Sequence, residues 1–144
     1  MTTVEKLLNS KSNETWTIAP QASVYDAILL MSEKNVGALL IVDADSLVGI
    51  FTERDYARKL VLQGRLSRDT AVGDMMTTEV LYVEPINTTA DCMVLMTNKR
   101  IRHLPVLSDG ELIGIVTIGD VVKQIISEQE STIAQLEKYI AGSY

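Results

Sequence analysis

The pattern of apolar and polar positions follows the same order twice along the chain. In residues 15–62, apolar residues at helical spacing precede two short runs rich in Ile, Leu and Val, ALLIVD and LVGIFT. Residues 80–127 repeat this order, with LPVL and LIGIVT as the two runs. The connectors DADS and SDGE are rich in turn residues, so each pair of runs is predicted to form a β-hairpin.

The two copies align without a gap when the sequence is shifted by 65 residues, which places residues 15–60 on residues 80–125. Each copy starts with a short extended segment, TWTIAP or VLYVEP, that ends at a proline because proline cannot continue a β-ladder. A helix follows each proline, with Ser23 or Thr88 as the predicted N-cap.

A second helix is predicted to begin after Thr52 in the first copy and after Thr117 in the second. Asp55 and Asp120 follow three residues later, which matches a capping box with aspartate in place of glutamate. The same spacing follows Ser23, where we assign it no function. On the pattern alone, a structural helix cap is therefore the favoured interpretation of both threonine–aspartate pairs.

The predicted fold is α/β, of the α+β kind, with two β-α-β-β-α repeats. A repeat of about 46 residues buries too little surface to be stable alone. We therefore expect the repeats to pack together about an approximate two-fold axis, with a helix added at each end of the chain. The predicted boundaries are residues 1–14 for the N-terminal helix and lead-in, 15–62 for the first repeat, 63–79 for a connector, 80–127 for the second repeat and 128–144 for a C-terminal helical tail.

Both added helices have an apolar face. Val4, Leu7 and Leu8 share one face of the N-terminal helix. In the tail, an isoleucine recurs every seven residues from Ile126 to Ile140. This spacing predicts either a coiled-coil seam against another subunit or a helix packed on its own domain.

Composition limits the partners of this 144-residue chain, which has a net charge of −6 and a pI of about 4.7. Nucleic-acid binding needs a basic stripe, and the short cluster from Lys99 to His103 is too small for one, so we expect no nucleic-acid partner. The apolar runs fall short of the roughly 20 residues of a membrane-spanning helix. The single cysteine, Cys92, and the absence of an export signal in the first thirty residues predict a cytoplasmic location.

The points where the second helices begin suit an anionic ligand. Backbone N–H groups and the helix dipole attract an anion there. The hydroxyl of Thr52 or Thr117 can bond a phosphate oxygen, and Asp55 or Asp120 can accept hydrogen bonds from the adjacent hydroxyls of a ribose. Arg54 adds a fork that pairs with phosphate. Together these groups suit a nucleotide.

These residues carry a resemblance to a known family. The duplicated unit, the segments GIFTERD and GIVTIGD, and RIRHLPV before the second hairpin resemble a tandem pair of CBS domains, or Bateman module, over roughly residues 4–130. The closing TIAQLEKYI is similar to the tail of small stand-alone bacterial members. We therefore expect no attached enzyme domain.

The resemblance implies regulatory binding of an adenine nucleotide in clefts between the repeats, with energy or redox sensing and a conformational signal to an unknown protein partner. AMP is the first expectation, with ATP, ADP or NAD(H) as alternatives. The family's usual pairing of modules also implies a homodimer. The site residues that the resemblance implies are Asp55 and Asp120 for the ribose; Thr52, Arg54, Thr117 and Gly119 for phosphate; and Thr17, Ile18, Gly37, Ala38, Tyr82, Val83, Arg102, His103 and Pro105 for adenine.

The two predicted sites differ in charge. Gly37 and Ala38 occupy the positions that Arg102 and His103 take in the second repeat, and the arginine of GIFTERD has a glycine as its counterpart. One cleft is therefore expected to prefer a more highly charged or longer ligand, such as a triphosphate or a dinucleotide. The other cleft takes AMP or stays empty, and the sequence leaves open which is which.

The same residues are also compared with two other functional classes, an interaction module and an enzyme. A ligand-independent dimerisation or interaction module would use the threonines and aspartates only as helix caps. An enzyme is not expected, because His103 is the only histidine and no matching nucleophile motif accompanies it. His103 is either a phosphate contact or a structural residue. No metal site is predicted, because partners at metal-ligand spacing are not identifiable.

Overall fold

Both predicted helix–hairpin units are present in the computed structural model, which describes residues 2–11 and 14–142. The helices are α1 (Val4–Asn9), α2 (Val24–Lys34), α3 (Glu53–Asp55), α4 (Val72–Met75), α5 (Thr89–Lys99) and α6 (Ile118–Ile140). The strands are β1 (Thr17–Ile18), β2 (Ala38–Asp43), β3 (Ser46–Thr52), β4 (His103–Ser108) and β5 (Glu111–Thr117). Helix α3 continues into a π-helical turn over Tyr56–Val61, and a 3₁₀ turn covers Ser67–Asp69. Positions 1, 12, 13, 143 and 144 of the predicted terminal segments lie outside the described residues.

The chain divides into two units, each built around one repeat. The first-repeat unit consists of Glu14–Tyr82 and Asp109–Leu112. The second-repeat unit consists of Met1–Asn13, Val83–Ser108 and Ile113–Tyr144. The N-terminal segment thus belongs with the second repeat, and the segment between the repeats belongs with the first.

The first-repeat unit contains a three-stranded sheet in the order β1-β2-β3. Strand β1 runs parallel to β2, and β2 runs antiparallel to β3. Ala44 and Asp45 at the tip of the hairpin have φ of 49° and 65°, as two-residue hairpin turns require. The predicted hairpin is therefore confirmed.

The apolar face of this sheet packs against α2. Leu39 and Phe51 from the hairpin are fully buried, together with Ala27 from the helix. Ser23 caps the helix by accepting a hydrogen bond from the Asp26 N–H at 3.0 Å. The N-cap and the apolar helix face predicted for this repeat are confirmed.

The second-repeat unit has a two-stranded sheet, β4-β5, and its predicted first strand is reduced to a single bridge between Val83 and Val106. The strand is shorter than predicted because of Pro105. In the first repeat, the Leu40 N–H donates to the Trp16 carbonyl at 3.4 Å. Pro105 occupies the position of Leu40 and has no N–H to donate, so the corresponding bond cannot form.

The core of the second-repeat unit contains Cys92 and Met96 from α5, with Leu104 and Val116 from the sheet. The prediction that Cys92 is a small core residue is confirmed, because its side chain is fully buried. Burial raises the pKa of the thiol to about 11, with the nearby charge of Asp91 as a smaller cause.

A short lead-in helix completes each core. Helix α1 belongs to the second-repeat unit, where Val4, Leu7 and Leu8 are buried, so the predicted apolar face of the N-terminal helix is confirmed. Helix α4 belongs to the first-repeat unit, where Val72 and Met75 are buried. Each unit therefore takes its lead-in helix from the segment that precedes the other repeat in the sequence.

The lead-in helices are themselves duplicated. The Val4 N–H donates to the Asn87 carbonyl at 2.7 Å, and the Val72 N–H donates to the Ala22 carbonyl at 2.7 Å. Asn87 and Ala22 occupy the same position of the two repeats. Val4 and Val72 are separated by slightly more residues than the 65 that separate equivalent positions of the repeats. An ungapped alignment of the repeats therefore does not extend into these helices.

Helix α6 is one unbroken helix of 23 residues, so it includes both the predicted last helix of the second repeat and the predicted tail. Val121 near its start is buried, whereas Ile133, Leu136 and Ile140 are exposed. The tail is therefore exposed from residue 129 to residue 140, whereas Glu128 at its start accepts hydrogen bonds from Thr2. None of the described helices is long and apolar enough to cross a membrane.

Candidate functional site

The threonine–aspartate pairs at the ends of β3 and β5 form complete capping boxes. The Asp55 N–H donates to Thr52 Oγ1 at 3.1 Å, and the Thr52 N–H donates to Asp55 Oδ2 at 3.0 Å. In the second repeat, the Asp120 N–H donates to Thr117 Oγ1 at 3.2 Å, and the Thr117 N–H donates to Asp120 Oδ2 at 2.9 Å. The structural interpretation of both pairs is therefore confirmed as far as the cap is concerned.

A third capping box lies outside the predicted sites, at Thr88 and Asp91 before α5. Its two hydrogen bonds are 3.1 Å and 2.9 Å long, which matches the other boxes. Asp91 is solvent-exposed, and the Thr88 N–H lowers its pKa, helped by a bond from Asn87. Capping geometry alone therefore does not distinguish Asp55 and Asp120 from an ordinary helix cap.

The surroundings of Asp55 do distinguish it. Its side chain is buried, and its second oxygen, Oδ1, lies 3.2 Å from Lys59 Nζ and accepts a 3.3 Å hydrogen bond from Thr77 Oγ1. Lys59 Nζ also donates to the Met75 carbonyl at 3.2 Å. Asp55 is thus a buried carboxylate with an ammonium group and a hydroxyl beside it.

Asp120 also has an ammonium partner, supplied by a different part of the chain. Lys11 Nζ lies 2.5 Å from Asp120 Oδ2 and donates to the Ile115 carbonyl at 2.8 Å. Burial would raise the pKa of Asp120, but the hydrogen bonds from Lys11 and Thr117 and the charge of Lys11 outweigh it, so the pKa lies below its usual value. Asp120 is therefore held in its charged form.

Gly49 and Gly114 make room for the two lead-in segments, by which we mean helices α4 and α1 together with the few residues that follow each of them. A Cβ at Gly49 would lie 2.8 Å from Met76 Cγ and 3.0 Å from the Thr77 carbonyl oxygen. A Cβ at Gly114 would lie 3.0 Å from Leu8 Cδ2. Both glycines therefore allow a close approach of the protein's own chain.

In the first-repeat unit, the structure brings several predicted site residues to one end of the sheet. Ala38 pairs directly with Thr52 across β2 and β3. The Glu53 N–H donates to the Gly37 carbonyl at 3.1 Å, which holds the start of β2 beside the start of α3. Thr17 and Ile18 lie on β1, opposite Leu40 and Ile41 rather than opposite this end, and Arg54 is exposed on the first turn of α3.

The second-repeat unit has the same arrangement. The Ile118 N–H donates to the Arg102 carbonyl at 2.9 Å, so Arg102 and His103 start β4 beside the first turn of α6. The Val83 N–H donates to the Pro105 carbonyl at 3.0 Å. Tyr82 ends the first-repeat unit and is half exposed.

Gly119, the counterpart of Arg54, lies on the first turn of α6. A Cβ at this position would meet only Thr117 Oγ1, at 3.7 Å. The second site therefore has space at the position where the first site has the Arg54 side chain.

Three residues that the sequence analysis did not assign to the sites contact the two aspartates, namely Lys11, Lys59 and Thr77. Lys59 follows Asp55 by four residues, a spacing that places both side chains on one helix face and could have been recognised. Nothing near Lys11 in the sequence points to Asp120. Within the described part of the chain, no three His, Cys, Asp or Glu side chains converge as metal ligands would.

Comparisons with known proteins agree on one family. A sequence model of the CBS domain matches residues 11–62 and 72–127. A protein with CBS domains from Burkholderia ambifaria, assigned to signal transduction, is 53% identical, with a TM-score of 0.86 over 89% of this chain and 96% of that chain. A CBS-domain protein of Agrobacterium tumefaciens is 38% identical, with a TM-score of 0.81 over 85% and 98%. A mitochondrial CBS domain-containing protein of Arabidopsis thaliana is 42% identical over 99% of this chain and 74% of its own length.

Proposed function

Because this chain belongs to the CBS domain family, we propose that it is a regulatory protein that binds an adenine nucleotide and signals the binding to a protein partner by a conformational change. One observation carries the proposal: the two aspartates at equivalent strand ends each have a lysine ammonium group beside the carboxylate, whereas Asp91, in a capping box of the same geometry, has no such partner among the described residues. AMP is the first candidate, and ATP, ADP and NAD(H) are the others.

At the first site, Asp55 would accept hydrogen bonds from the ribose hydroxyls, and Thr52 and Arg54 would contact phosphate. Gly37 and Ala38 support this assignment, because their backbone lies beside Thr52 and the first turn of α3. Thr17 and Ile18 would complete the adenine contacts.

At the second site, Asp120 takes the ribose role. Its Oδ2 accepts from Thr117 and Lys11, whereas Oδ1 accepts no hydrogen bond from any residue in the described ranges. A carboxylate oxygen can accept two hydrogen bonds. Oδ1 is therefore available to a ribose hydroxyl without loss of the cap.

The remaining assignments at the second site follow the same logic. Thr117 and Gly119 would contact phosphate, and Arg102 would supply positive charge beside the first turn of α6, with His103 as a further phosphate contact. Tyr82, Val83 and Pro105 would contact the base, as the resemblance to CBS domains implies. Each site thus has one arginine, Arg54 at the first and Arg102 at the second, at different positions of the repeat.

The assembly and the location are parts of the same proposal. CBS pairs associate with one another, and we propose a homodimer for this chain. A cytoplasmic location agrees with the single, buried cysteine, since reducing compartments do not rely on disulfides. No catalytic role is proposed for either aspartate.

The experiment that tests nucleotide binding is thermal unfolding with AMP, ADP, ATP, NAD or NADH, and with GTP as the control ligand. A ligand at about 100 times its dissociation constant adds roughly 2.7 kcal/mol to the free energy of unfolding, which shifts the melting temperature by several degrees. We expect a shift with adenine nucleotides and none with GTP.

Three alanine variants separate binding from capping. Asp55→Ala and Asp120→Ala should weaken binding about tenfold or more, because each loses a charged hydrogen-bond acceptor. Asp91→Ala is the matched control: it removes a capping box of the same geometry, lowers stability by about 1 kcal/mol and should leave the nucleotide-induced shift unchanged. Equal loss of the shift in all three variants would contradict the assignment.

A ligand-independent interaction module is the alternative. The observation in its favour is that the capping boxes at Asp55 and Asp120 are complete within the protein itself. It predicts no melting shift with any of the nucleotides, together with similar stability losses for all three alanine variants.

A further inference from the structure

The last part of α6 carries an apolar stripe that its own unit does not cover. Ile126, Ile133 and Leu136 are 49%, 55% and 56% exposed, and Ile140 is 84% exposed. The start of the helix packs on α5, but every residue from position 129 to 140 is exposed. Twelve helical residues span about 18 Å, so the stripe is long enough to contact a second helix.

The stripe has the spacing of a coiled-coil seam. We name it the α6 seam and define its a positions as Ile126, Ile133 and Ile140, and its d positions as Val122, Gln129 and Leu136. The a and d positions of a heptad face a partner helix on one side. The seam covers about two and a half heptads, and its other helix faces are polar.

We propose that the α6 seam pairs with the α6 seam of a second copy of this chain as a parallel, two-stranded coiled coil. The residue types favour two strands, because every a position is the β-branched Ile and a d position is Leu. Gln129, at a d position, is the one polar residue of the seam.

The charges beside the seam favour the parallel direction. Within the exposed end of the seam, residues 129–140, the e positions are Glu130 and Glu137 and the g positions are Thr132 and Tyr139; Lys123 is the e position nearer the start of the helix. A parallel pair places each e position near a g position of the other helix, so the glutamates meet uncharged side chains. An antiparallel pair of these exposed ends would place Glu130 of one helix beside Glu137 of the other, which is unfavourable.

A groove beside the seam gives the second helix room to lie against the unit. It has a volume of about 460 Å³ and is lined by Thr89 and Ala90 at the start of α5 and by Ile125 and Ile133 on α6, among others. Ile133 belongs both to the groove and to the seam. A helix on the seam therefore also contacts the edge of this apolar groove.

The inference rests on the assembly part of the proposed function and is independent of its ligand-binding part. It states where two copies meet, and it uses none of the candidate nucleotide contacts. Loss of the pairing with an unchanged nucleotide-induced melting shift would therefore separate the two.

Sedimentation velocity on the full chain tests the seam. We expect the wild type to sediment as a dimer or a multiple of one, and Ile133→Glu to halve that mass. Ser131→Glu is the matched control, because it adds the same charge at an exposed f position outside the seam and should keep the wild-type mass. A monomeric wild type, or an Ile133→Glu variant with the wild-type mass, would overturn the proposal.

Cross-linking tests the direction and does not depend on the stability of Ile133→Glu. Ile140→Cys places a thiol at an a position, where two parallel helices bring the same residue together. We expect an interchain disulfide on mild oxidation. Lys138→Cys, at an f position, is the control and should stay reduced. The native Cys92 is fully buried and does not interfere. Absence of the Ile140→Cys cross-link, or equal cross-linking of both variants, would overturn the parallel arrangement.

Discussion

Lys11 and Lys59 give the two candidate aspartates different partners, although Asp55 and Asp120 occupy the same position of the repeat. Lys59 lies on the same helical segment as Asp55, four residues further on. Lys11 comes from the lead-in segment and is 109 positions away from Asp120. The ammonium partner of Asp120 therefore depends on the packing of the N-terminal segment, whereas the ammonium partner of Asp55 comes from the same helical segment.

At the residue scale, we expect Lys11→Met to destabilise the protein at pH 7 by about 0.5–1 kcal/mol, because the ion pair is only partly shielded from solvent. The pKa of Asp120 is lower in the folded protein than in the unfolded chain. The stabilisation is therefore present above the unfolded pKa of about 3.9 and is lost as the pH falls through the folded value.

Urea unfolding followed by circular dichroism at pH 7, 4 and 2.5 measures this effect. The difference between wild type and Lys11→Met should shrink as the pH falls. Lys6→Met, on the exposed side of α1, is the control and should stay within about 0.5 kcal/mol of wild type at each pH. A Lys11→Met difference that does not decrease in acid would argue against an ion pair with Asp120.

At the scale of elements, two glycines in equivalent strands hold the lead-in segments against the sheets. Gly49 lies against Met76 and the Thr77 backbone, and Gly114 lies against Leu8. In most strands a glycine weakens the sheet, because it has no side chain to pack. Here the absence of a side chain is what lets a second layer approach, and this is why the same residue type stands at both positions.

We expect Gly49→Ala to lower the free energy of unfolding by about 1–3 kcal/mol, because the new Cβ would overlap the Met76 side chain and crowd the Thr77 carbonyl. Gly114→Ala should have a smaller effect, since it meets only the flexible end of Leu8. Denaturant unfolding of both variants gives the values.

Gly119→Ala serves as the matched control for these strand variants. Its Cβ would enter open space on a helix, where alanine is favoured over glycine by up to about 1 kcal/mol. It should be neutral or stabilising. A Gly49→Ala variant as stable as wild type would show that the lead-in segment moves aside without cost.

At the scale of the whole molecule, each unit is assembled from segments that are far apart in sequence. The second-repeat unit needs α1 from the N-terminus, and the first-repeat unit needs α4 from between the repeats. Removing either lead-in segment would expose buried core residues of the unit that it packs against. The stability of each unit therefore depends on contacts of long sequence separation.

We expect Leu7→Ala to destabilise the second-repeat unit by about 2–5 kcal/mol, because it leaves a cavity in that core. Hydrogen exchange followed by mass spectrometry should show faster exchange in β4, β5 and α5. Exchange in β2 and β3 should change less. Leu62→Ala, a highly exposed leucine of the other unit, is the control. Equal acceleration in both units would contradict the division of the core.

Much of the fold was predictable because its signals are local. The helix caps at Ser23 and Thr88, the turn-rich connectors and the repeat itself involve residues within a few positions of one another. The short first strand of the second repeat could also have been anticipated, since Pro105 has no N–H for the ladder. The candidate site was predictable only in part, because residue types were visible but their partners were not.

By itself, the sequence determined the duplicated unit, the capping boxes that contain Asp55 and Asp120, and the apolar faces of the helices. Each of these follows from backbone preferences and from side-chain spacing over one or two helical turns. Only the tertiary structure decided that Lys11 meets Asp120, that the lead-in helices fill the space at Gly49 and Gly114, and that the α6 seam stays uncovered. These features depend on packing between distant segments, which no local pattern encodes.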